Sequence, residues 1–329
     1  MHTKMTSTVI VTSILLLLVS SFFSLKIGSF SFTASELLNG LFAKEPSNQA
    51  LVLQDVRLPR MLMTILAGAS LAVAGALVQS MTQNPLASPG VLGINAGASF
   101  FVVGSIVFIP SLTGISLVAA GFAGGVLAAS LIFFMGAILQ GGRMIVKIAL
   151  VGVVIQSLFA AATQSIMIFN DESIHQILIW LTGTVAGSTW ESVSVLTPVS
   201  IIGIGLSFLT MKALTVLSLG EDVARNLGQR VWLQKGIIIF LVVLLAGSSV
   251  AFTGPIGFIG LITPHIVRFL IGPSNPLFLP ITALMGAALL MLADIGSRFI
   301  SFPYETPVGI VTALIGAPYF IYLARTANR

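Results

Sequence analysis

Cysteine is absent from all 329 residues, which excludes disulfides, thiolate metal sites and a cysteine nucleophile. Charge is scarce: 8% of the residues are Asp, Glu, Lys or Arg, against 56% hydrophobic. The three histidines, His2, His175 and His265, lie far apart. No HExxH, no GxSxG and no paired intramembrane carboxylates occur, so an intramembrane hydrolase lacks its nucleophile–base pair. The dipeptide Gly-Lys is missing too, and without it no P-loop forms; any ATPase that drives this chain is a separate polypeptide.

What fills the chain instead is apolar sequence. With a mean hydropathy of +1.07, no soluble domain of this size buries so much apolar surface, and the composition predicts an all-α polytopic membrane protein. The 32 glycines suit helices that pack closely in lipid through small residues. A net charge of +5 would suit nucleic acid if it were clustered, but the basic residues are dispersed between apolar runs. Membrane lipid is the expected partner, and nucleic acid is not.

Runs of about twenty apolar residues predict ten spans, near 8–25, 61–83, 92–109, 114–138, 145–168, 192–211, 232–253, 256–271, 277–296 and 306–323. The third and eighth are short and suit partly re-entrant segments. The first run follows Lys4 and lacks a small-x-small cleavage site, so it reads as an uncleaved span and not as a secretory signal. An even count puts both termini on one side. With that side cytoplasmic, ten of the 15 Lys and Arg residues lie inside, leaving Lys26, Lys44, Arg57, Arg60 and Arg298 outside. Arg57 and Arg60, in "RLPR" at 57–60, and Arg298 thus stand where the positive-inside trend disfavours them.

The chain also repeats itself. An offset of 179 aligns Leu66, Ala67, Gly68, Ser70, Ala72 and Gly75 with Leu245, Ala246, Gly247, Ser249, Ala251 and Gly254, and also pairs Pro85 with Pro264 and Gly93 with Gly272. If spans two and seven correspond, five crossings separate their starts and the second copy is inverted, as in many transporters. Repeat one covers about 61–168 and repeat two about 232–323, with a loop near 212–231 between the sixth and seventh spans, all in one transmembrane domain over 1–329.

The span centres carry no Asp, Glu, Lys or Arg, although ion-driven carriers usually keep such groups; Asp294, near the end of span nine, is the single candidate. In the loop, "LSLGEDVARNLGQRVW" at 217–232 holds about two turns of helix between Gly220 and Gly228. Its acidic residues stand at the start and Arg225 near the end, complementing the helix dipole. This is either a solvated connector or a short helix presented to a soluble partner.

Taken together, "RLPR" at 57–60, "GASLAVAGALVQ" at 68–79, "NPLASPGVLGINAGA" at 84–98, "LGEDVARNLG" at 219–228, "GFIGLITPHIVR" at 257–268 and "PVGIVTALIGAP" at 307–318 resemble a known family. These are the FecCD-type permeases of type II ATP-binding-cassette importers, which carry ferric siderophores, haem and cobalamin. The blocks run in family order along nearly the whole chain. The resemblance implies a cobalamin-importer-permease-like fold of ten spans and a second permease subunit, as homodimer or heterodimer. It also implies two copies of a cytoplasmic ATPase and an extracytoplasmic substrate-binding protein. ATP and magnesium belong to that ATPase, and no cofactor to this chain.

By the same resemblance, Arg57, Arg60 and Arg298 (the last through "ADIGSR", 293–298) dock glutamates of the binding protein. Snorkelling at the interface is the other reading of Arg57 and Arg60, and an i, i+4 pair with Asp294 the other reading of Arg298. Asn84, Pro85 and Leu86 match the cytoplasmic gate, against a plain interfacial turn. "QGGRMIVK" at 140–147 is a second gate candidate whose members stay open. Gly220, Glu221, Ala224, Arg225 and Gly228 match the coupling helix that fits a cleft in the ATPase. His265 reads as packing, since no carboxylate or tyrosine stands beside it in the sequence. Gln79, Gln156 and Gln164 are polar candidates for lining the pathway. The expectation is a permease that passes a ferric siderophore across the bacterial cytoplasmic membrane by alternating access. Haem or cobalamin is the alternative cargo, and a stand-alone secondary carrier the alternative class.

Overall fold

In lipid a backbone has no water to bond, so long apolar runs satisfy their N–H and C=O groups internally as helices. The computed structural model describes residues 2–28, 32–42, 47–139, 144–170, 174–217, 219–273, 275–302 and 304–326. Among these residues there is no strand, only an isolated bridge between Ser301 and Tyr304. The helices are α1 His2–Lys26, α2 Ala34–Phe42, α3 Asn48–Thr82, α4 Ile94–Phe108, α5 Ile115–Ile138, α6 Met144–Ile168, α7 Ile174–Thr182, α8 Trp190–Leu209, α9 Met211–Leu217, α10 Glu221–Asn226, α11 Val231–Thr253, α12 Ile259–Ile271, α13 Phe278–Ile300 and α14 Val308–Thr326. Seven are long and apolar enough to cross a membrane (α1, α3, α5, α6, α8, α11 and α13), and α4, α12 and α14 are shorter apolar helices. These ten follow the order of the ten expected spans.

Two differences have local causes. Helix α3 starts at Asn48, well before the expected residue 61, because a π-helical stretch at Val52–Arg57 carries the helix through the polar residues Gln54, Asp55 and Arg57 that interrupt the apolar pattern. Helix α2, which hydropathy did not flag, is started by a capping box: the Glu36 carboxylate accepts from the Thr33 N–H at 2.8 Å, and the Thr33 hydroxyl accepts from the Glu36 N–H at 3.3 Å. The Thr33 N–H holds the Glu36 carboxyl below its ordinary pKa.

Helix α3 is the centre of the bundle, packed against α13, α12, α8 and α11, while α1 lies along α13. Small residues permit this. A Cβ added to Gly68 would lie 2.6 Å from the Gly286 carbonyl oxygen, one on Gly75 only 1.8 Å from that of Gly260, and one on Gly97 2.3 Å from that of Gly124. The backbones of α3 with α13, α3 with α12, and α4 with α5 therefore touch directly, where dispersion between close backbones holds helices together in lipid.

The order long, short, long recurs in α3–α5 and α11–α13, and each set is followed by one further apolar helix, the long α6 and the shorter α14. The offset of 179 survives only inside the first helix of each set. Ala72 lies against Gly286 of α13 and Ala251 against Gly121 of α5, which are like positions in the two sets. Beyond that helix it fails: Gly93 opens α4 whereas Gly272 closes α12, and Pro85 is in a loop whereas Pro264 is inside α12. The cause is a longer link in the first set, 83–93 between α3 and α4 against 254–258 between α11 and α12.

Gly75→Ala is expected to lower stability by about 1–3 kcal/mol through overpacking against α12. In detergent its apparent melting temperature falls, while Gly205→Ala, where an added Cβ meets nothing within 4 Å, leaves it unchanged.

Candidate functional site

The residues singled out by sequence gather at the two ends of α3. At its first end, the ends of α1, α3 and α13 converge on one carboxylate. Asp294 of α13 is fully buried. Its Oδ1 accepts from Arg60 Nε at 3.1 Å and Nη2 at 2.8 Å, and its Oδ2 from Arg298 Nη2 at 2.5 Å. Arg60 reaches on with Nη1 to Glu305 Oε2 at 2.6 Å, and Arg298 with Nη1 to the Ser24 and Ile27 carbonyls at 2.7 and 2.5 Å. Arg57 donates to the Leu25 carbonyl at 2.5 Å, its guanidinium carbon 4.5 Å from the centre of the Phe32 ring. Two guanidiniums and two carboxylates thus balance in one network, and Arg57 flanks it.

All three expected docking arginines are therefore brought together, yet each is less than 10% exposed: 7% for Arg57, 8% for Arg60 and 6% for Arg298. The i, i+4 pair of Arg298 with Asp294 is present. The Arg60–Asp294 bond and the part of Glu305 were not anticipated. The one available signal was Asp294 itself, a lone acid near the end of a span, which had to find a cation.

At the other end of α3, Gln83 takes a left-handed φ of 51° and stops the helix. Asn84 closes the turn: its N–H donates to the Gln79 carbonyl at 3.2 Å, and its Oδ1 accepts the Leu86 N–H at 2.9 Å. Such a side-chain-to-backbone turn is what asparagine does well. Asn84 and Pro85 are exposed and Leu86 is half-buried. Pro85 and Leu86 form one wall of an apolar cavity of about 530 Å³, with His265, Phe269, Tyr319 and Tyr322 around it. His265 packs edge-on against the Tyr319 ring, centroids 6.1 Å apart. No group of His, Asp and Glu suited to a metal is found among the described residues. Gln79 is buried and ties α3 to α12, donating to the Leu261 carbonyl at 3.0 Å and accepting from Arg268 at 3.1 Å, so it does not face a pathway. Gln164 is exposed and Gln156 half-buried. Residues 140–143 of the second gate candidate lie outside the described residues.

Near this end, "LGEDVARNLG" forms the short helix α10. Gly220, at φ 115°, precedes it and Gly228, at φ 80°, follows it, so both turns need a residue without a Cβ. Ala224 is buried inward; Arg225 is 65% exposed at its side chain. One Glu221 oxygen lies 3.8 Å from Arg225, and the other pairs with the ammonium of Lys235, a residue only 1% exposed. Leu219, Val223 and Leu227 stand exposed around the helix, with Trp232 and Leu233 beyond. An apolar face edged by Arg225 and Arg230 is suited to a protein partner.

The pattern of the FecCD transport family matches residues 16–326. The chain is 45% identical to the Fe(3+)-citrate import system permease protein YfmD of Bacillus subtilis, over 92% of this chain and 90% of that one. It is 39% identical to the iron(3+)-hydroxamate import system permease protein FhuB of the same organism, over 98% and 84%. Among solved structures, an inward-facing ABC transporter described as of metal-chelate type aligns with a TM-score of 0.86 at 30% identity, covering 97% of this chain and 99% of that one.

Asp294→Asn leaves Arg60 and Arg298 buried with their shared counter-charge gone and is expected to cost about 3–5 kcal/mol. Glu305→Gln removes only the half-exposed partner and should cost much less. Thermal unfolding in detergent orders the two; equal losses would mean that the network is not centred on Asp294.

Proposed function

The chain belongs to the FecCD transport family, and from that membership we propose that it is the permease subunit of an ATP-binding-cassette importer that moves a ferric siderophore across the bacterial cytoplasmic membrane. The observation that carries this reading is near full-length similarity to permeases named for ferric citrate and ferric hydroxamate import. A second permease subunit, the same or related, completes the pathway. Two ATPase subunits bind ATP and magnesium on the cytoplasmic side, and a binding protein delivers the chelate from outside. Both termini face the cytoplasm.

In this reading α10 seats its apolar face in the ATPase, and closure of the ATPase around ATP moves the turn at Asn84, Pro85 and Leu86. Alternating access follows, with α3–α6 and α11–α14 as two inverted halves. No charged group is needed along the pathway, because the binding protein supplies affinity. A secondary carrier would need an ion-coupling group in its spans, and the one candidate, Asp294, is committed to two arginines.

Arg57, Arg60 and Arg298 serve docking in this reading, by exchanging intramolecular partners for carboxylates of the binding protein. Arg57 is the residue to test, since Arg60 and Arg298 also hold the buried network. Arg57→Gln should slow association of the binding protein by about tenfold at low salt, with the difference shrinking as salt screens the charges. An unchanged, salt-insensitive rate removes Arg57 from docking. For the cargo, proteoliposomes holding the complete transporter should accumulate iron-55 from a ferric siderophore only with ATP inside the ATPase compartment. Uptake of labelled haem or cobalamin in its place would move the cargo to those classes, and uptake without ATP would return the carrier reading.

A further inference from the structure

Three polar side chains near the gate, Lys235, Gln229 and Gln83, have no part in the mechanism so far. Lys235 of α11 clasps Glu221, the first residue of α10, and so fixes that helix to the membrane-spanning bundle. Gln229 donates to the Ala213 carbonyl at 3.1 Å, closing the chain from α9 through α10 on itself as one unit. That unit is tied to the gate by Gln83, whose Nε2 donates to the carbonyl of Leu217, the last residue of α9, at 2.6 Å.

We propose that Gln83 is the positioning residue through which movement of the α9–α10 unit reaches the gate at Asn84, Pro85 and Leu86. The inference rests on the permease reading above. Three features of the site support it. Leu217 is 2% exposed, and its carbonyl, which accepts the Gly220 N–H at 3.1 Å in the turn that leads into α10, takes Gln83 as a second donor, so the one acceptor joins that turn to the end of α3. Gln83 holds a left-handed backbone conformation that glycine or asparagine adopts at less cost, so the glutamine side chain has work that outweighs the backbone preference. No residue intervenes between this bond and the gate, because Asn84 follows directly and its side chain fixes the Leu86 N–H. A displacement of α9 therefore acts on a turn with no slack. Coupling through packed and hydrogen-bonded neighbours requires such a contiguous connection.

The test compares Gln83→Met, which keeps length and loses the donor, with Gln83→Lys, which restores a donor of similar reach, in the complete transporter reconstituted in liposomes. Chelate moved per ATP hydrolysed should fall about fivefold in Gln83→Met, the weight of one neutral hydrogen bond, with hydrolysis itself little changed. Gln83→Lys should recover most of it. Because the chain has no cysteine, Ser88→Cys gives a single reporter beside the gate. Its labelling rate should change with ATP when Gln83 is present and stop changing in Gln83→Met. The proposal is overturned if Gln83→Met keeps the wild-type ratio, if uptake and hydrolysis fall in parallel in both variants, or if labelling still responds to ATP without Gln83. Labelling that never responds to ATP, even with Gln83, would instead sink the driven-gate reading on which the proposal stands.

Discussion

A carboxylate removed from water must be compensated by charge, and Asp294 is compensated by two guanidiniums from different parts of the chain. Arg60 belongs to α3 and Arg298 to the last turns of α13, while the Arg298 guanidinium also gathers the carbonyls of Ser24 and Ile27 that close α1. Three helix ends are thereby held at one point. The same carboxylate turns the guanidiniums of Arg60 and Arg298 toward one another, which explains why two arginines near helix ends are nonetheless buried.

From that point α3 runs through the bundle to the opposite end, and the glycine contacts at Gly68 and Gly75 leave it little freedom to shift sideways. The two functional ends are thus the ends of a single rod. Ion pairing anchors one, and a hydrogen-bonded turn finishes the other. The clasp of Lys235 on Glu221 does at α11 what Arg60 does at α3: a buried cation fixes an element that hydropathy alone would leave loose.

Much of this was legible in the residues. Ten apolar runs in order, the shortness of α4 and α12, and the glycine brackets of α10 all follow from local pattern, because helix length and turn chemistry are local properties. The convergence of Arg60 on Asp294 was not legible, since the two lie far apart in sequence and nothing in periodicity pairs them. Lys235 misled in another way. It counts with the inner charges for topology, yet it is buried, its ammonium reaching a carboxylate at the start of α10. The start of α3 at Asn48 was hidden by Asp55 and Arg57, which hydropathy reads as an end and the π-helical turn carries through. The constant offset between halves failed where loops of different length intervene, as they do after Thr82 and Thr253.

The two helices that lead the recurring sets each contain a π-helical stretch, Val52–Arg57 in α3 and Val243–Gly247 in α11. Such a stretch is one residue wound in excess, and one residue corresponds to about 100° of helical rotation. Removing a single residue there would leave every side chain present and every apolar run long enough, but would swing the preceding segment off its face. For α3 that segment carries the chain from α2. The protein is thus far more sensitive to the count of its residues at these two places than to their identity, and a deletion there amounts to a change of aim.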